Sequence, residues 1–245
     1  MRLLLANANT TQAITDLCAA AAREAASPGT EILPATPRFG PAVIASRAEN
    51  AIAAHGLLDL LAEHAGKVDA AVLAVSHDTA LEAARQIMPC PVVGMTEAAC
   101  FTACLLGGRF GLVTFGGVET YRERIAQHGL AGRCASLVGV DATPQDAVRE
   151  PMEVERVVLA GVTHAVREGA DAVVLGGAAL AGMAKRLRSA SVVPLLDGIA
   201  CAVKLAEALV ALAPGRARVG SFAACDGQES VGLSPALAAL LRGSA

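Results

Sequence analysis

Short runs of leucine and β-branched residues alternate along this chain with longer stretches in which alanine and other apolar residues recur every three or four positions among Glu, Arg and Gln. The short runs predict strands at residues 2–6, 31–34, 69–75 and 91–95, and again at 110–115, 135–141, 171–177 and 194–197. Between them, residues 10–26, 46–65, 118–127 and 152–168 carry the helical period. Several of these stretches start near a Ser, Thr or Asp suited to an N-cap. Gly129, Gly169 and Gly215 stand where helix C-caps are expected. Such alternation is the pattern of βαβ units built around parallel sheets.

The pattern occurs twice. Asp69-Ala-Ala-Val-Leu-Ala-Val75 recurs as Asp171-Ala-Val-Val-Leu-Gly-Gly177, each following a helix-like segment that closes on a glycine, Gly66 or Gly169. An Ala-rich helix follows both copies. Then come Pro91-Val-Val-Gly-Met95 in one and Pro194-Leu-Leu-Asp-Gly198 in the other. The expected fold is therefore α/β, with two similar βα lobes, each a mainly parallel sheet flanked by helices, related by pseudo-twofold symmetry. Lobe 1 is expected over 1–107, completed by 213–245, and lobe 2 over 108–212.

Open parallel sheets bind ligands beyond the carboxyl ends of their strands, where helix N-termini present unpaired N–H groups. Four such ends are polar or glycine-rich here: Asn7-Ala-Asn9-Thr10-Thr11, Ser76-His77-Asp78-Thr79, Thr114-Phe115-Gly116-Gly117 and Gly176-Gly177-Ala178. Lobes facing one another would set Val75 opposite Gly177 across a cleft. Asn9, Thr10 and Thr11 suit a helix N-cap or the grip on a carboxylate or imide oxygen, and Thr114 with Gly116 and Gly117 is the matching cluster. Neither is a P-loop. His77 is the one histidine just past a strand end. With Ser76 and Asp78 beside it, it invites a nucleophile, base and orienter reading. Consecutive residues in an extended segment alternate in direction, so the three do not form a triad by adjacency alone, and Asp78 also suits a helix N-cap. Glu97 is read as a helix-capping residue before a base, Glu49 as a helix-surface or interlobe residue, and Arg38 and Arg47 as secondary candidates for an anionic substrate.

Composition narrows the classes. Of 245 residues, 54% are apolar, enough to cover both faces of a sheet, whereas aromatic residues are only 2%, which argues against base stacking. The net charge of −3 offers no basic footprint for nucleic acid. The first seven residues lack the apolar core of a signal peptide, and other apolar runs are broken by charges or glycines before the roughly 18 residues of a membrane span. The expectation is a soluble, cytoplasmic chain without nucleic-acid or membrane partners. Its seven cysteines show neither C-x-x-C nor zinc-ligand spacing, so no metal is expected. Cys100 and Cys104, one turn apart, read as buried apolar side chains.

Taken together, these segments resemble the hydantoin and allantoin racemases of the aspartate/glutamate racemase superfamily. The opening Asn7-Ala-Asn-Thr-Thr11 looks like that family's N-P-N-T-T, and Gly40-Pro41-Ala-Val-Ile44 is similar to its G-P-x-S-I segment. Pro91-Val-Val-Gly-Met-Thr-Glu-Ala-Ala99 and Leu175-Gly-Gly-Ala-Ala-Leu-Ala-Gly-Met183 resemble its two most recognisable later motifs. The resemblance implies a two-lobed enzyme acting between its lobes, by acid/base chemistry at a carbon next to a carbonyl. It also implies no metal, pyridoxal or nicotinamide cofactor, and is compatible with a homo-oligomer. In those racemases two cysteines flank the substrate carbon, one removing its proton as the other delivers one.

Here the ungapped match puts Val75 and Gly177 where the two cysteines belong. Neither moves a proton. Cys90 and Cys134 precede strands, Cys18, Cys100, Cys104 and Cys201 lie in helical patterns, and Cys225 alone falls in a loop-like segment. Two main readings follow, beside that of a true racemase whose acid and base are not among the positions placed here. One is a cofactor-independent isomerase whose acid/base group is Ser76 or His77, acting on a small carboxylate or cyclic imide. Its substrate would be held by Asn9, Thr10, Thr11, Val75, Asp78, Thr79, Thr114, Phe115, Gly116, Gly176, Gly177 and Ala178, with backbone N–H groups of the last three facing an enolate-like oxygen. The other is a non-catalytic ligand-binding or regulatory member of the same fold.

Overall fold

The computed structural model describes residues 1–227 and 229–243. Two compact units divide the chain: unit 1 is Met1–Gly94 together with the chain from Val203 onward, and unit 2 is Met95–Ala202. The boundaries fall at Gly94/Met95 and Ala202/Val203, whereas the sequence pattern set them at 107/108 and 212/213. At the first boundary the helix Met95–Leu106 goes with unit 2, on whose strands it packs, and the second boundary falls within the helix Gly198–Leu212.

In unit 1, β1 (Arg2–Ala6), β2 (Glu31–Ala35), β3 (Ala70–Leu73) and β4 (Val92–Gly94) form one sheet in the order β2-β1-β3-β4. Every pairing is parallel, with Leu4 level with Leu33 on one side and Ala71 on the other. β1 and β3 are buried along their lengths, apart from the first residue of β1, so they read as unbroken apolar runs with no alternation. The connecting helices are α1 (Gln12–Ala25), α2 (Arg47–His64) and α3 (Leu81–Ile87). α1 buries Thr15, Cys18, Ala19 and Ala22, one stripe at helical spacing. α2 starts at a capping box: Ser46 Oγ accepts from Glu49 N–H at 3.2 Å and Glu49 Oε2 accepts from Ser46 N–H at 2.7 Å. Glu49 therefore serves the helix start, and the Ala45 N–H (2.8 Å), with the Ser46 hydroxyl and N–H, holds its carboxyl below the ordinary carboxylate range.

Unit 2 repeats the plan. Its strands β5 (Phe110–Phe115), β6 (Cys134–Val140), β7 (Ala172–Gly176) and β8 (Leu195–Asp197) pair in the order β6-β5-β7-β8, again all parallel. Its helices are α4 (Met95–Leu106), α5 (Glu119–Gln127), α6 (Pro144–Arg149), α7 (Pro151–Arg167) and α8 (Met183–Leu187). α4 packs on β5, β7 and β8. α7 lays Val154, Val158, Gly161, Val162 and Ala165 over β5 and β6. At Gly161 a Cβ would come within 3.0 Å of both Val113 and Val140 methyls, so close approach of helix and sheet requires glycine there.

The unit boundary falls inside α9 (Gly198–Leu212). In its unit 1 portion, Glu207 accepts from Ser27 N–H (2.7 Å), Ser27 Oγ (2.8 Å), Thr30 Oγ1 (2.7 Å) and Lys204 Nζ (2.9 Å). Burial pushes the Glu207 carboxyl up, and these four donors outweigh it, holding the pKa at about 2. The closing helix α10 (Pro235–Leu241) packs on α2, burying Leu237 and Leu240.

Gly129 and Gly169 take the left-handed conformation expected of helix C-caps, with φ of 72° and 93°. Gly215 does not cap α9. The left-handed residue after that helix is Ala213 (φ 46°), whose N–H donates to Leu209 O at 3.1 Å. Among the described residues, no helix is long and apolar enough to cross a membrane.

Candidate active site

In each sheet the chain leaves the first strand toward one edge and the third strand toward the other, so the strand order reverses between them. Crevices form at such reversals, outside the carboxyl ends. In unit 1 these are the ends of β1 and β3, joined where Ala74 N–H donates to Ala6 O at 2.8 Å. In unit 2 they are the ends of β5 and β7, where Thr114 is level with Gly176. All four polar or glycine-rich segments singled out in the sequence lie at these two reversals.

The turn after β1 is organised by Asn7, which sequence reasoning left out. Asn7 is fully buried. Its Nδ2 donates to Asn9 Oδ1 and Thr15 Oγ1, both at 3.0 Å, and its Oδ1 accepts from Asn9 N–H at 3.1 Å. Asn9 Oδ1 also accepts from Thr11 N–H at 3.0 Å. Thr11 stands at the N-cap of α1, but its hydroxyl donates to Ala42 O at 2.7 Å in place of capping the helix. An amide that directly follows an all-apolar strand is the signal that could have marked Asn7. Thr10 and Asn9 remain partly exposed at the helix start.

After β3, Val75 is 5% exposed and packs within the apolar cluster of unit 1. Ser76 and His77 follow, both partly exposed. Asp78 and Ala80 take left-handed φ values of 46° and 55°, uncommon for residues other than glycine, so this loop is tightly folded. Asp78 does not cap α3; that position belongs to Ala80, because the two left-handed residues delay the helix to Leu81. The Asp78 carboxyl is instead buried against Gly94 at the end of β4, where a Cβ would stand 2.5 Å from its carbon. Thr79, also buried, donates its hydroxyl to Asn50 Oδ1 at 2.6 Å and so ties the loop to α2.

Unit 2 offers mostly backbone. Thr114 is buried, its Oγ1 directed at Tyr121 Oη at 3.4 Å, a weak contact. Phe115 is partly exposed, and Gly116 and Gly117 are exposed. Gly116 has φ 65°, and Gly139 must lack a side chain because a Cβ there would lie 2.0 Å from Gly116 O. Gly177 combines φ 128° with ψ 134°, a backbone that L side chains rarely adopt, and begins a 3₁₀ turn through Ala178–Leu180. The turn is fixed from β8 by Asp197. Its Oδ1 accepts from Ile199 N–H (2.9 Å) and Ala200 N–H (3.1 Å), and its Oδ2 from Gly182 N–H. Burial pushes the Asp197 carboxyl up, against the pull of those three N–H groups.

Among the described residues, no cysteine lies at these strand ends. Cys90 lies before β4 and Cys134 at the start of β6, the amino ends of the sheets, while Cys18, Cys100, Cys104 and Cys201 are helical. Cys225 packs against the unit 1 core. Burial pushes the Cys90 and Cys201 thiols up to about 11, and raises Cys134 as well, so these three are protonated at neutral pH. Glu97 lies within the first turn of α4, 3.8 Å from His128 Nδ1. Arg38 pairs at the surface with Glu63 at 3.2 Å. No group of three or more His, Cys, Asp or Glu side chains among the described residues could hold a metal ion.

The family model for Asp/Glu/hydantoin racemases matches residues 3–206. Hydantoin racemase of Paenarthrobacter aurescens is 32% identical over 232 residues, covering 91% of this chain and 96% of that protein. Allantoin racemase from Klebsiella pneumoniae superposes with a TM-score of 0.91 at 33% identity, covering 97% of this chain and 98% of that one. The crystal structure of allantoin racemase from Pseudomonas fluorescens gives a TM-score of 0.90 at 31% identity, over 95% and 100%.

Proposed function

Since this chain belongs to the Asp/Glu/hydantoin racemase family of isomerases, we propose that it moves a proton at the carbon beside a carbonyl in a small carboxylate or hydantoin-like ring, without thiols. The reading is carried by one observation. The two positions that the family resemblance assigns to thiols hold Val75 and Gly177, and the imidazole at the β3 end is His77.

In this reading His77, with Ser76 as the alternative, removes the proton, a role for which a neutral imidazole suits physiological pH. The partial positive end of α1, reached through Asn9, Thr10 and Thr11, favours the substrate's carboxylate or imide oxygen. Asn7, Asp78, Thr79 and Asp197 hold these loops in place. Acid/base groups on one side only suit exchange, tautomerisation or decarboxylation on a single face better than inversion.

The test is turnover of hydantoins, allantoin, amino acids and substituted malonates by the native protein and by His77→Gln and Ser76→Ala. Loss of at least a hundredfold in one variant is expected, within the usual range for a general base. Undiminished turnover in both would remove these residues from the chemistry. Saturable binding of a panel compound with no turnover would favour the non-catalytic ligand-binding reading.

A further inference from the structure

Unit 1 has a cavity at the amino ends of β3 and β4, the opposite end of the strands from the loops described above. It lies between the amino end of β4 and the segment that follows α9, and has a volume of about 650 Å³. That is within the roughly 300–1,000 Å³ of small-molecule sites. Pro91, Leu209, Val210 and Phe222 give it an apolar wall. Phe222 is 43% exposed, a large aromatic face left open in a chain with few of them.

Two guanidinium groups, Arg85 and Arg216, line the same cavity. Each is anchored by the main chain: Arg85 Nε donates to Val92 O at 3.1 Å, and Arg216 donates to Gln86 O in the last turn of α3. Those carbonyls and the helix end offset part of the positive charge. The carboxylate on the wall is Asp69, whose Oδ2 already accepts from Arg2 N–H at 2.7 Å. Two guanidinium groups thus share the wall with one carboxylate. Cys90, also on the wall, is a protonated thiol and adds to the apolar surface.

We propose that this cavity is a binding site for an amphipathic monoanion, a carboxylate or sulfonate with an apolar body, its head group meeting Arg85 and Arg216 and its body lying against Phe222 and Val210. The fork of guanidinium donors suits such a head group. The site is separate from the strand-end chemistry and stands whether or not that reading holds.

The chain contains no tryptophan, so Phe222→Trp installs a single reporter on the cavity wall. The probes are 8-anilinonaphthalene-1-sulfonate and its uncharged analogue N-phenyl-1-naphthylamine. Saturable quenching of the reporter by the sulfonate is expected, weakened at least tenfold by Arg216→Glu, an exposed loop position whose change spares the core. The neutral analogue is expected to bind at least tenfold more weakly, and His77→Gln to leave binding unchanged. Absence of quenching, equal affinity for the two probes, or an affinity untouched by Arg216→Glu would overturn the proposal. So would reporter emission that shifts with protein concentration in the absence of dye, which would assign the cavity to contact between copies of the chain.

Discussion

Placing a side chain at position 177 tests the backbone of this turn directly. Gly177 sits at φ 128°, ψ 134°, where an L residue costs about 1–3 kcal/mol. Removing a glycine also restricts the unfolded chain, which returns about 0.4–1 kcal/mol. Gly177→Cys should therefore destabilise by about 1–2 kcal/mol, and Gly177→Ala by the same amount, since the cost lies in the backbone. In a chain of this size that lowers the melting midpoint by roughly 2–8 °C. Val75→Cys, which trims a buried side chain at a position without a left-handed backbone, should cost only about 1 kcal/mol. Thermal unfolding followed by circular dichroism measures all three. A midpoint unchanged or raised in both 177 variants would refute the strained turn, and with it the reason that position holds glycine.

Glu207→Gln should cost about 2 kcal/mol. The interval from the ordinary 4.5 down to about 2, at ~1.36 kcal/mol per pH unit, sets a ceiling near ~3 kcal/mol, and exposure of Lys204 screens part of it. Because the folded-state pKa is depressed, this stabilisation is present above pH 4.5 and is lost as pH falls toward about 2. Native protein should lose stability through that window and Glu207→Gln should lose less, as acid titration of the midpoint will show; parallel curves would count against it. Asp197→Asn turns an acceptor oxygen into a donor opposite Gly182 N–H, at a cost of about 1–3 kcal/mol. Hydrogen exchange should quicken at residues 177–182 before the rest of unit 2, and uniform quickening would deny Asp197 its hold on the turn.

The parallel sheets were legible because β1 and β5 are short, mostly apolar runs between polar or glycine-rich segments, and both match their expected ends. β3 and β4 proved shorter than their apolar runs: Val75 and Met95 are apolar for packing, not pairing, and an apolar run does not distinguish the two. The place of α4 in unit 2 was hidden because the helix follows β4 directly, and only its contacts reveal which sheet it covers. Sequence marked the strand ends at the two reversals of strand order, but not how their side chains are engaged. Asp78 resembles an N-cap until the left-handed Ala80 is seen to occupy that position. Thr79 looks available until Asn50, distant in sequence, takes its hydroxyl. Asn7 looked like part of a strand end, whereas its amide organises the whole turn.

One-sided proton transfer without thiols is tested most directly by solvent exchange. A single enantiomer of a 5-alkyl hydantoin, incubated with the protein in D₂O, is followed by proton NMR for loss of the C5 hydrogen and by polarimetry for configuration. Deuterium is expected to enter with optical rotation preserved, and the exchange to fall at least a hundredfold in His77→Gln or Ser76→Ala. Rotation that decays in step with exchange, or exchange undiminished in both variants, would contradict it.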